Sequence, residues 1–288
     1  MTSPNHQITK SNFEGLAVAA FESRMANEME RLIRRYGGNP LVAPALREIP
    51  LEDNSAALRF GARLLTDRID ILILLTGVGA TTLFEILRTR HALPDIITAL
   101  RHTALVARGP KPVAALKAFG LSPTLTVPEP NTWHDLLVTL DAYRPVKGLR
   151  VAVQEYGASN KGLLDALTER GAEVSAVPVY RWALPENTAP LKHVLDSILR
   201  GEVDVMLVTN AAQIDHVMQV LEQDGKTREL KNVCARLMVA SIGPTASERL
   251  REYDLPVDLE PTHPKMGILV KEASEQAAAI LQRKRSAR

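Results

Sequence analysis

The sequence of 288 residues has one cysteine, few aromatic residues and almost no excess of either charge. Cys234 has no partner for an intramolecular disulfide, which excludes a disulfide-stapled fold and fits a reducing compartment, so we expect a cytoplasmic protein. Because aromatic residues make up only 4% of the chain, aliphatic side chains must fill most of the core. Lysine and arginine number 35 against 33 aspartate and glutamate residues, and this balance predicts no general affinity for nucleic acid.

The sequence also lacks a long apolar segment. Its longest purely aliphatic run, residues 71–75, is much shorter than the ~20 residues that a membrane-spanning helix needs, so we expect no association with a membrane. Residues 1–14 are polar and lack the apolar stretch of a signal peptide. Hydrophobic residues at 45% and charged residues at 24% are ordinary proportions, and they predict a globular chain with about two domains.

Short aliphatic runs alternate with amphipathic stretches along the chain. Residues 25–36 carry apolar side chains at helical spacing, and they lie between predicted strands at residues 16–20 and 41–43. Further strands are expected at residues 70–76, 103–109, 125–127, 149–154, 173–179, 204–210, 237–243 and 258–260. Apolar strands that alternate with helices predict an α/β fold whose parallel sheets are covered by helices on both faces.

An internal repeat relates two parts of the chain. Gly109-Pro110 recurs 134 positions later as Gly243-Pro244, and Asp70 recurs at the same offset as Asp204. At an offset of 133 positions, Gly15, Leu16, Val18, Ala19 and Gly38 match Gly148, Leu149, Val151, Ala152 and Gly171. Unrelated α/β units also share strand, glycine and helix, which is the alternative explanation. We interpret the repeat as a duplication that gave two five-stranded α/β domains with a cleft between them.

Two extended segments interrupt the alternation. Residues 46–51 and 179–185 alternate in hydrophobicity and contain proline near their ends, so we expect them to pair as a two-stranded β linker. The expected domains are a continuous one, residues 52–178, and a discontinuous one, residues 1–46 plus 184–288. The linkers are then residues 47–51 and 179–183.

Motifs of several common enzyme classes are absent from the sequence. The seven histidines are scattered without the spacing of a zinc site, so no metal centre is expected. The Gly-x-Ser-x-Gly elbow of serine hydrolases, the phosphate-binding loop of nucleotide triphosphatases and the Gly-x-Gly-x-x-Gly dinucleotide motif do not occur.

Five polar turns follow predicted strands, at residues 76–79, 109–111, 156–160, 209–211 and 243–246. In open α/β sheets ligands bind at the carboxyl ends of the strands, where helix N-termini present free N–H groups that suit an anion. Each turn by itself is equally well explained as an ordinary helix cap, with Ser159 and Thr245 as the clearest examples. Five such turns on two domains favour a ligand with several negative charges.

Three segments at these positions resemble the uroporphyrinogen-III synthase family. They are Thr209-Asn210-Ala211 after an apolar strand, residues 242–246 (Ile-Gly-Pro-Thr-Ala) before a helix, and Pro178-Val179-Tyr180. The resemblance extends from about residue 16 to the last helix. It implies two flavodoxin-like α/β domains joined by a two-stranded linker, the first of them discontinuous.

The resemblance also implies a reaction. Members of this family act as lyases that close the linear tetrapyrrole hydroxymethylbilane, with inversion of ring D and loss of water, to uroporphyrinogen III in haem biosynthesis. No cofactor is implied. The expected partners are the tetrapyrrole substrate and, as a candidate, hydroxymethylbilane synthase upstream, and the protein is expected to be a monomer.

Matching the family's motifs residue by residue gives a candidate site. Tyr180 matches the tyrosine that would protonate the departing hydroxyl, because a phenol with a pKa of about 10 still carries its proton at neutral pH. The alternative for Tyr180 is a core residue. The substrate-binding candidates are Thr76, Gly77, Gly109, Lys111, Ser159, Asn160, Lys161, Thr209, Asn210, Ala211, Gly243, Thr245, Ala246 and Lys265.

Two positions depart from the family pattern. Gly77-Val78 stands where polar residues are usual, and Pro112 stands where threonine is common. Both departures remove hydroxyl donors, so we expect Lys111 to supply a cation instead.

Two other functions remain open. One is a ligand-sensing module with this fold and little or no activity, similar to domains that are fused to winged-helix DNA-binding domains. The basic stretch at residues 283–288 is not followed by such a domain, which favours the enzyme. The other is a solute-binding receptor, which the missing signal peptide disfavours.

Overall fold

The computed structural model describes residues 12–66, 68–155, 157 and 159–286. The strands in this part of the chain are β1 (Ala17–Ala20), β2 (Asn39–Val42), β3 (Arg47–Pro50), β4 (Ile71–Leu74), β5 (Ala104–Ala107), β6 (Leu125–Thr126), β7 (Arg150–Glu155), β8 (Glu173–Pro178), β9 (Tyr180–Ala183), β10 (Val205–Val208) and β11 (Met238–Ser241). The helices are α1 (Ala26–Arg35), α2 (Ser55–Leu64), α3 (Gly77–Arg88), α4 (Leu93–Arg101), α5 (Pro110–Ala118), α6 (Trp133–Tyr143), α7 (Lys161–Glu169), α8 (Ala189–Leu199), α9 (Ala211–Gln223), α10 (Thr227–Cys234), α11 (Pro244–Glu252) and α12 (Met266–Ser286).

The chain divides into two compact units. Glu48–Trp182 forms one, called the middle domain here, and Met1–Arg47 with Ala183–Arg288 forms the other, called the terminal domain. The chain passes between the units within β3 and β9, which pair with each other in a separate two-stranded sheet. The two-stranded linker that the sequence predicts is therefore present.

The middle domain is built on a five-stranded parallel sheet in the order β6-β5-β4-β7-β8. All four residues of β4 are buried, with Leu72 and Leu74 in the hydrophobic cluster on one face and Ile71 and Ile73 in the cluster on the other. Successive side chains of a strand point to opposite faces, so a strand covered on both faces must be apolar throughout. This confirms the predicted α/β fold.

The terminal domain has a four-stranded parallel sheet in the order β11-β10-β1-β2. The strand predicted at residues 258–260 is wrong in extent, because only a single parallel bridge joins Leu259 to Ala240. Pro256 and Pro261 flank this segment and lack the N–H groups that a longer ladder needs. The side chain of Asp258 instead accepts the backbone N–H of Val239 at 2.8 Å.

Strand β2 begins two residues earlier than the predicted strand at residues 41–43. Its first residues are Asn39 and Pro40, which resemble a loop in the sequence. Because β2 lies at the edge of the sheet, Pro40 is tolerated in it although proline cannot donate to a ladder.

The strand registers repeat between the two domains, as the duplication predicts. Ile71 of β4 pairs with Val151 of β7, and the residues at the matching sequence offsets, Val205 and Val18, pair in the terminal domain. The pairings of β4 with β5 and of β10 with β11 correspond in the same way. The two sheets thus share the order and register of their central strands.

The predicted match of Gly38 with Gly171 is wrong by one residue. Gly37 has φ +76° and Gly171 has φ +82°, a conformation that glycine adopts without steric cost. The carbonyl of Gly37 accepts the N–H of Gly15 at 2.8 Å, and the carbonyl of Gly171 accepts that of Gly148 at 2.8 Å. Gly37 is therefore the structural equivalent of Gly171.

An aspartate joins the two central strands of each sheet at their amino ends. Asp70 Oδ2 accepts the backbone N–H of Arg150 at 2.8 Å, and Asp204 Oδ2 accepts that of Ala17 at 2.9 Å. The Arg150 guanidinium also donates to both oxygens of Asp70, at 2.8 Å each. These hydrogen bonds, chiefly those from the Arg150 side chain, lower the pKa of Asp70 to about 2. The ionised carboxylate is therefore the form that stabilises the fold.

We expect Asp70→Asn to lower the free energy of unfolding by about 1–2 kcal/mol at neutral pH, after discounting for partial exposure of the pair. The pKa of Asp70 is lower in the folded chain, at about 2, than in an unfolded chain, at about 3.9. The stabilisation is thus complete above about pH 4 and disappears as the pH falls towards 2. Urea unfolding of both proteins across this range measures it.

Asp165→Asn on the exposed face of α7 is the matched control, and it should change the free energy of unfolding by less than about 0.5 kcal/mol. A difference between wild type and Asp70→Asn that stays constant down to pH 2 would contradict this role of the carboxylate.

We predict that the middle domain folds alone. Its two hydrophobic clusters contain only residues between positions 57 and 182, so removal of the rest of the chain takes nothing from its core. A fragment of residues 48–182 should unfold cooperatively in urea and keep its secondary structure by circular dichroism. An isolated fragment of residues 1–47 should show no such transition. A non-cooperative 48–182 fragment would contradict the division into domains.

Candidate functional site

The carboxyl edges of both parallel sheets are where the candidate residues lie. In the middle domain, helices α3, α5 and α7 begin within a few residues of the carboxyl ends of β4, β5 and β7. In the terminal domain, two residues separate β10 from α9, and two separate β11 from α11. Parallel strands end at the same edge of a sheet, so each domain gathers its turns, and the N-termini of the helices that follow, on one side.

Thr76 and Tyr180 approach each other in the middle domain. Thr76 is the N-cap of α3, because its hydroxyl accepts the backbone N–H of Gly79 at 2.9 Å. The Tyr180 hydroxyl lies 3.4 Å from Thr76 Oγ1. Tyr180 is only 5% exposed and packs in the hydrophobic cluster of this domain. The candidate acid is thus a buried side chain whose hydroxyl reaches the first turn of α3.

Close packing against backbone requires glycine at position 77, and Gly79 packs against the end of a side chain. A Cβ atom on Gly77 would lie 2.7 Å from the carbonyl oxygen of Lys111, and one on Gly79 would lie 2.0 Å from Gln154 Nε2. The missing hydroxyl at Gly77 therefore has a steric cause, since the turn at residues 109–111 occupies the space. The structure brings Gly77 and Lys111 together, and the Lys111 side chain is exposed.

At the start of α7, Asn160 is the helix cap instead of Ser159. Asn160 Oδ1 accepts the N–H of Leu163 at 3.0 Å. Ser159 Oγ donates to Glu155 Oε1 at 2.7 Å, and the Asn160 N–H donates to the same oxygen at 3.2 Å. Glu155 is only 6% exposed, and sequence reasoning did not single it out. Its carboxylate fixes this turn, beside which Lys161 is exposed.

In the terminal domain, the turn that opens α9 is held by a network of side chains. Thr209 Oγ1 donates to Glu22 Oε2 at 2.5 Å and accepts from Gln213 Nε2 at 2.8 Å. The Thr209 N–H donates to Gln213 Oε1 at 2.9 Å. Asn210 caps the helix, because its Oδ1 accepts the N–H of Ala212 at 3.0 Å. Ala211 is the first residue of α9.

Helix α11 begins without a side-chain cap. Its N-cap is Gly243, so the interpretation of Thr245 as a cap is wrong, and Thr245 is exposed in the first turn. Ala246 is buried. Beneath this turn the hydroxyl of Ser247, which is fully buried, donates to the carboxylate of Glu260.

Lys265 is the last residue before α12, and it is exposed. The Cβ of its neighbour Pro264 lies 3.4 Å from where a Cβ atom on Gly243 would stand. The structure therefore brings the start of α12 against the Gly243 turn. The middle-domain counterpart, Gly109, is packed in the same way against the side chain of Asn131.

Signals for the missed residues existed in the repeat. Glu22 and Glu155 are 133 positions apart, the offset that relates β1 to β7, and each follows or ends the corresponding strand. Gln154 and Gln213 both use Oε1 to accept the backbone N–H of a threonine in the turn, at 3.4 Å and 2.9 Å. Comparison of polar residues across the repeat would have found the two glutamates.

Two other kinds of site are absent from the described residues, and the one cysteine is unreactive. No group of three or more histidine, cysteine, aspartate or glutamate side chains there could hold a metal ion. None of the helices described is both long and apolar enough to cross a membrane. Burial raises the pKa of the Cys234 thiol to about 12, so this cysteine is protonated and unreactive as a nucleophile at neutral pH.

A polar pocket of about 620 Å³ lies at the amino edge of the middle sheet, away from the turns. Its lining residues are Ile69, Asp70, Arg101, His102, Thr103, Ala104, Thr124, Tyr143 and Arg144. His102 and Arg144 are the C-cap residues of α4 and α6, where a basic side chain offsets the negative end of a helix. The positions of His102 and Arg144 in this pocket are therefore explained by their place at the C-terminal ends of α4 and α6.

Comparisons with known proteins agree on one family. Residues 27–271 match the family model described as "Uroporphyrinogen-III synthase HemD". The chain is 31% identical over 241 residues to "Putative uroporphyrinogen-III synthase" of Methanothermobacter thermautotrophicus, covering 83% of this chain and 90% of that protein. It is 27% identical over 264 residues to "Uncharacterized protein YjjA" of Bacillus subtilis, covering 91% of this chain and 96% of that one.

Solved structures with the same fold come from the extremely thermophilic bacterium Thermus thermophilus. A mutant uroporphyrinogen III synthase from this bacterium superimposes with a TM-score of 0.69 at 25% identity, covering 93% of this chain and 100% of that chain. The wild-type protein in another crystal form gives a TM-score of 0.54 at 26% identity, covering 94% and 100%.

Proposed function

The chain belongs to the uroporphyrinogen-III synthase family, and we propose that it converts hydroxymethylbilane into uroporphyrinogen III, as a lyase of porphyrin biosynthesis. The observation that carries the proposal is the set of helix N-termini at the carboxyl edges of two matched sheets, in a chain that has the family's fold over nearly its whole length.

The substrate is a polyanion, and the turns suit one. Hydroxymethylbilane carries eight carboxylates, and first-turn N–H groups that the caps do not take up, such as those of Val78 in α3 and Thr245 in α11, can bind such groups. The caps Thr76, Asn160 and Asn210 each take up one N–H of their own helix. Three exposed lysines add positive charge: Lys111 and Lys161 in the first turns of α5 and α7, and Lys265 directly before α12. We infer that binding relies on backbone N–H groups and these lysines more than on hydroxyls, because Thr76 and Thr209 are already hydrogen-bonded within the protein.

The chemistry asks mainly for positioning. The hydroxymethyl group at one end of the chain loses its hydroxyl as water, ring D at the other end bonds to the carbon that is left and becomes inverted, and the macrocycle closes. Without the enzyme the chain ends close without inversion, so the protein must hold them in the productive geometry. In this scheme Tyr180 donates the proton that the departing hydroxyl takes up.

In the deciding experiment, purified protein is added to freshly prepared hydroxymethylbilane, and the type I and type III isomers of the uroporphyrinogen product are then separated. We expect type III uroporphyrinogen as the main product. A sensing module with the same fold would yield only the type I isomer of spontaneous closure, while uroporphyrinogen III would still raise its melting temperature, since a ligand of the folded state stabilises it. Absence of type III product would contradict the proposal, and a thermal shift without product would indicate the sensing module.

Tyr180→Phe should lower the rate of type III formation by roughly tenfold and leave the fold intact. General acids typically contribute ~10²–10⁴-fold, but the leaving hydroxyl here is already activated by the pyrrole nitrogen, so the loss should be smaller. The measurement is the initial rate at saturating substrate, with the melting temperature in parallel.

Tyr253→Phe is the matched control. Tyr253 is the C-cap residue of α11, at the end away from the Gly243 turn, and its hydroxyl donates to Asp215 of α9. We expect no change in the rate of this variant. Complete loss of type III product in a stable Tyr180→Phe protein would show that proton donation, rather than positioning, dominates.

A further inference from the structure

Glu22 places a carboxylate at the carboxyl edge of the terminal domain's sheet. It lies two residues beyond β1, and Thr209 directly follows β10, the strand that pairs with β1 in parallel. Phe21, next to it, is completely buried, whereas Glu22 is only partly buried. The carboxylate therefore stands beside the turn that opens α9, on the edge where the proposed substrate would bind.

The hydroxyl of Thr209 is used up by this carboxylate. A threonine hydroxyl has one hydrogen, and Thr209 donates it to Glu22 Oε2 at 2.5 Å. The hydroxyl oxygen accepts from Gln213 Nε2 at 2.8 Å, which fixes its orientation. Thr209 cannot donate to a substrate carboxylate while Glu22 holds its hydrogen. The side-chain group that a ligand meets beside this turn is then the Glu22 carboxylate, which is an acceptor.

An acceptor with negative charge repels the substrate's carboxylates, but it suits the other polar groups that a linear tetrapyrrole carries, the pyrrole N–H donors. On the basis of the proposed function, we propose that Glu22 is a catalytic residue that accepts a hydrogen bond from the N–H of the ring that loses its hydroxyl. Its charge stabilises the positive charge that develops on that ring.

The step balances without any further reactant. The C–O bond of the hydroxymethyl group breaks with both electrons going to oxygen, and the oxygen takes one proton and leaves as water. The ring system is left with one positive charge, which is shared with its N–H group. When a new carbon–carbon bond forms and a ring carbon loses its proton, that proton replaces the one consumed. Glu22 keeps its charge throughout and acts by electrostatic stabilisation.

The repeat provides a contrast for this residue. Glu155 occupies the corresponding position in the middle domain, but its Oε1 already accepts two donors of its own turn, Ser159 Oγ and the Asn160 N–H. It is nearly buried, at 6% exposure. The residue that corresponds to Thr209 there is Leu75, which has no hydroxyl. The same carboxylate thus supports a turn in one domain and is more exposed in the other.

The test compares Glu22→Gln with wild type for kcat, for affinity towards uroporphyrinogen III and for melting temperature. We expect kcat to fall roughly 10–100-fold, since the amide keeps the size of the side chain and loses its charge. Affinity for uroporphyrinogen III should stay the same or increase, because a repulsive charge has been removed. Glu30→Gln, on α1 of the same domain in an ion pair with Arg34, changes the net charge equally and should change none of the three.

Two more variants separate a catalytic role from a structural one. Thr209→Val removes the hydroxyl that Glu22 holds, and we expect it to lose less activity than Glu22→Gln. Glu22→Asp retains the charge and should have a higher kcat than Glu22→Gln. If Glu22→Gln proves unstable, Glu22→Asp, with its intermediate kcat, still tests the role of the carboxylate. An unchanged kcat in Glu22→Gln, or an equal loss in Thr209→Val, would overturn the proposal for Glu22 alone. A wild-type protein that forms no type III product would overturn the proposed function together with it.

Discussion

The arrangement of each sheet depends on a hydrogen bond between an aspartate side chain and the backbone of the neighbouring central strand. Asp70 and Asp204 each stand at the amino end of a strand and accept the first N–H of the strand beside it. A slip of one residue in this pairing would turn every side chain of a strand to the opposite face. The helices that follow these strands would then begin elsewhere, so the turns at the carboxyl edge depend on a contact at the amino edge.

The turns at the carboxyl edge of each sheet combine two opposed electrostatic features. Helix N-termini and exposed lysines attract carboxylates, whereas Glu22 and Glu155 repel them. A protein that only bound a polyanion would gain from losing a glutamate that supports no turn. The presence of the two glutamates at matched positions is explained for Glu155 by the turn that it holds. Glu22 remains partly exposed although it holds the hydroxyl of Thr209. In the proposed reaction, which passes through a cationic ring, its charge would stabilise that ring.

Sequence reasoning reached the fold because its signals are local. Apolar strands such as β4 and β10 are recognisable one by one, and the repeated Gly-Pro pair marked the start of α5 and α11. Sequence reasoning failed where the surroundings of a segment in the fold decide its conformation. The segment around Leu259 looked like a strand but is flanked by prolines, and Pro40 is accepted only because β2 is an edge strand.

The network at Thr209 was missed for a similar reason. Its partner Glu22 lies 187 positions away in the sequence, and no spacing rule connects them. Family motifs nominate binding hydroxyls by residue type and position in the sequence. They do not show which hydroxyls are already donating to the protein, and that distinction required the hydrogen bonds themselves.

The discontinuous terminal domain also affects how the chain is made. Ala17 bonds to Asp204 across 187 positions, so at ~5–20 residues per second β1 waits roughly 10–40 s for its partner on the ribosome. The middle domain, continuous from Glu48 to Trp182, is completed first. During that interval β1, β2 and the apolar face of α1 have no sheet to join. Although β1 is mostly alanine, Phe21, Met29 and Ile33 beside it are buried only in the completed domain, so this early segment exposes apolar side chains until the last third of the chain arrives.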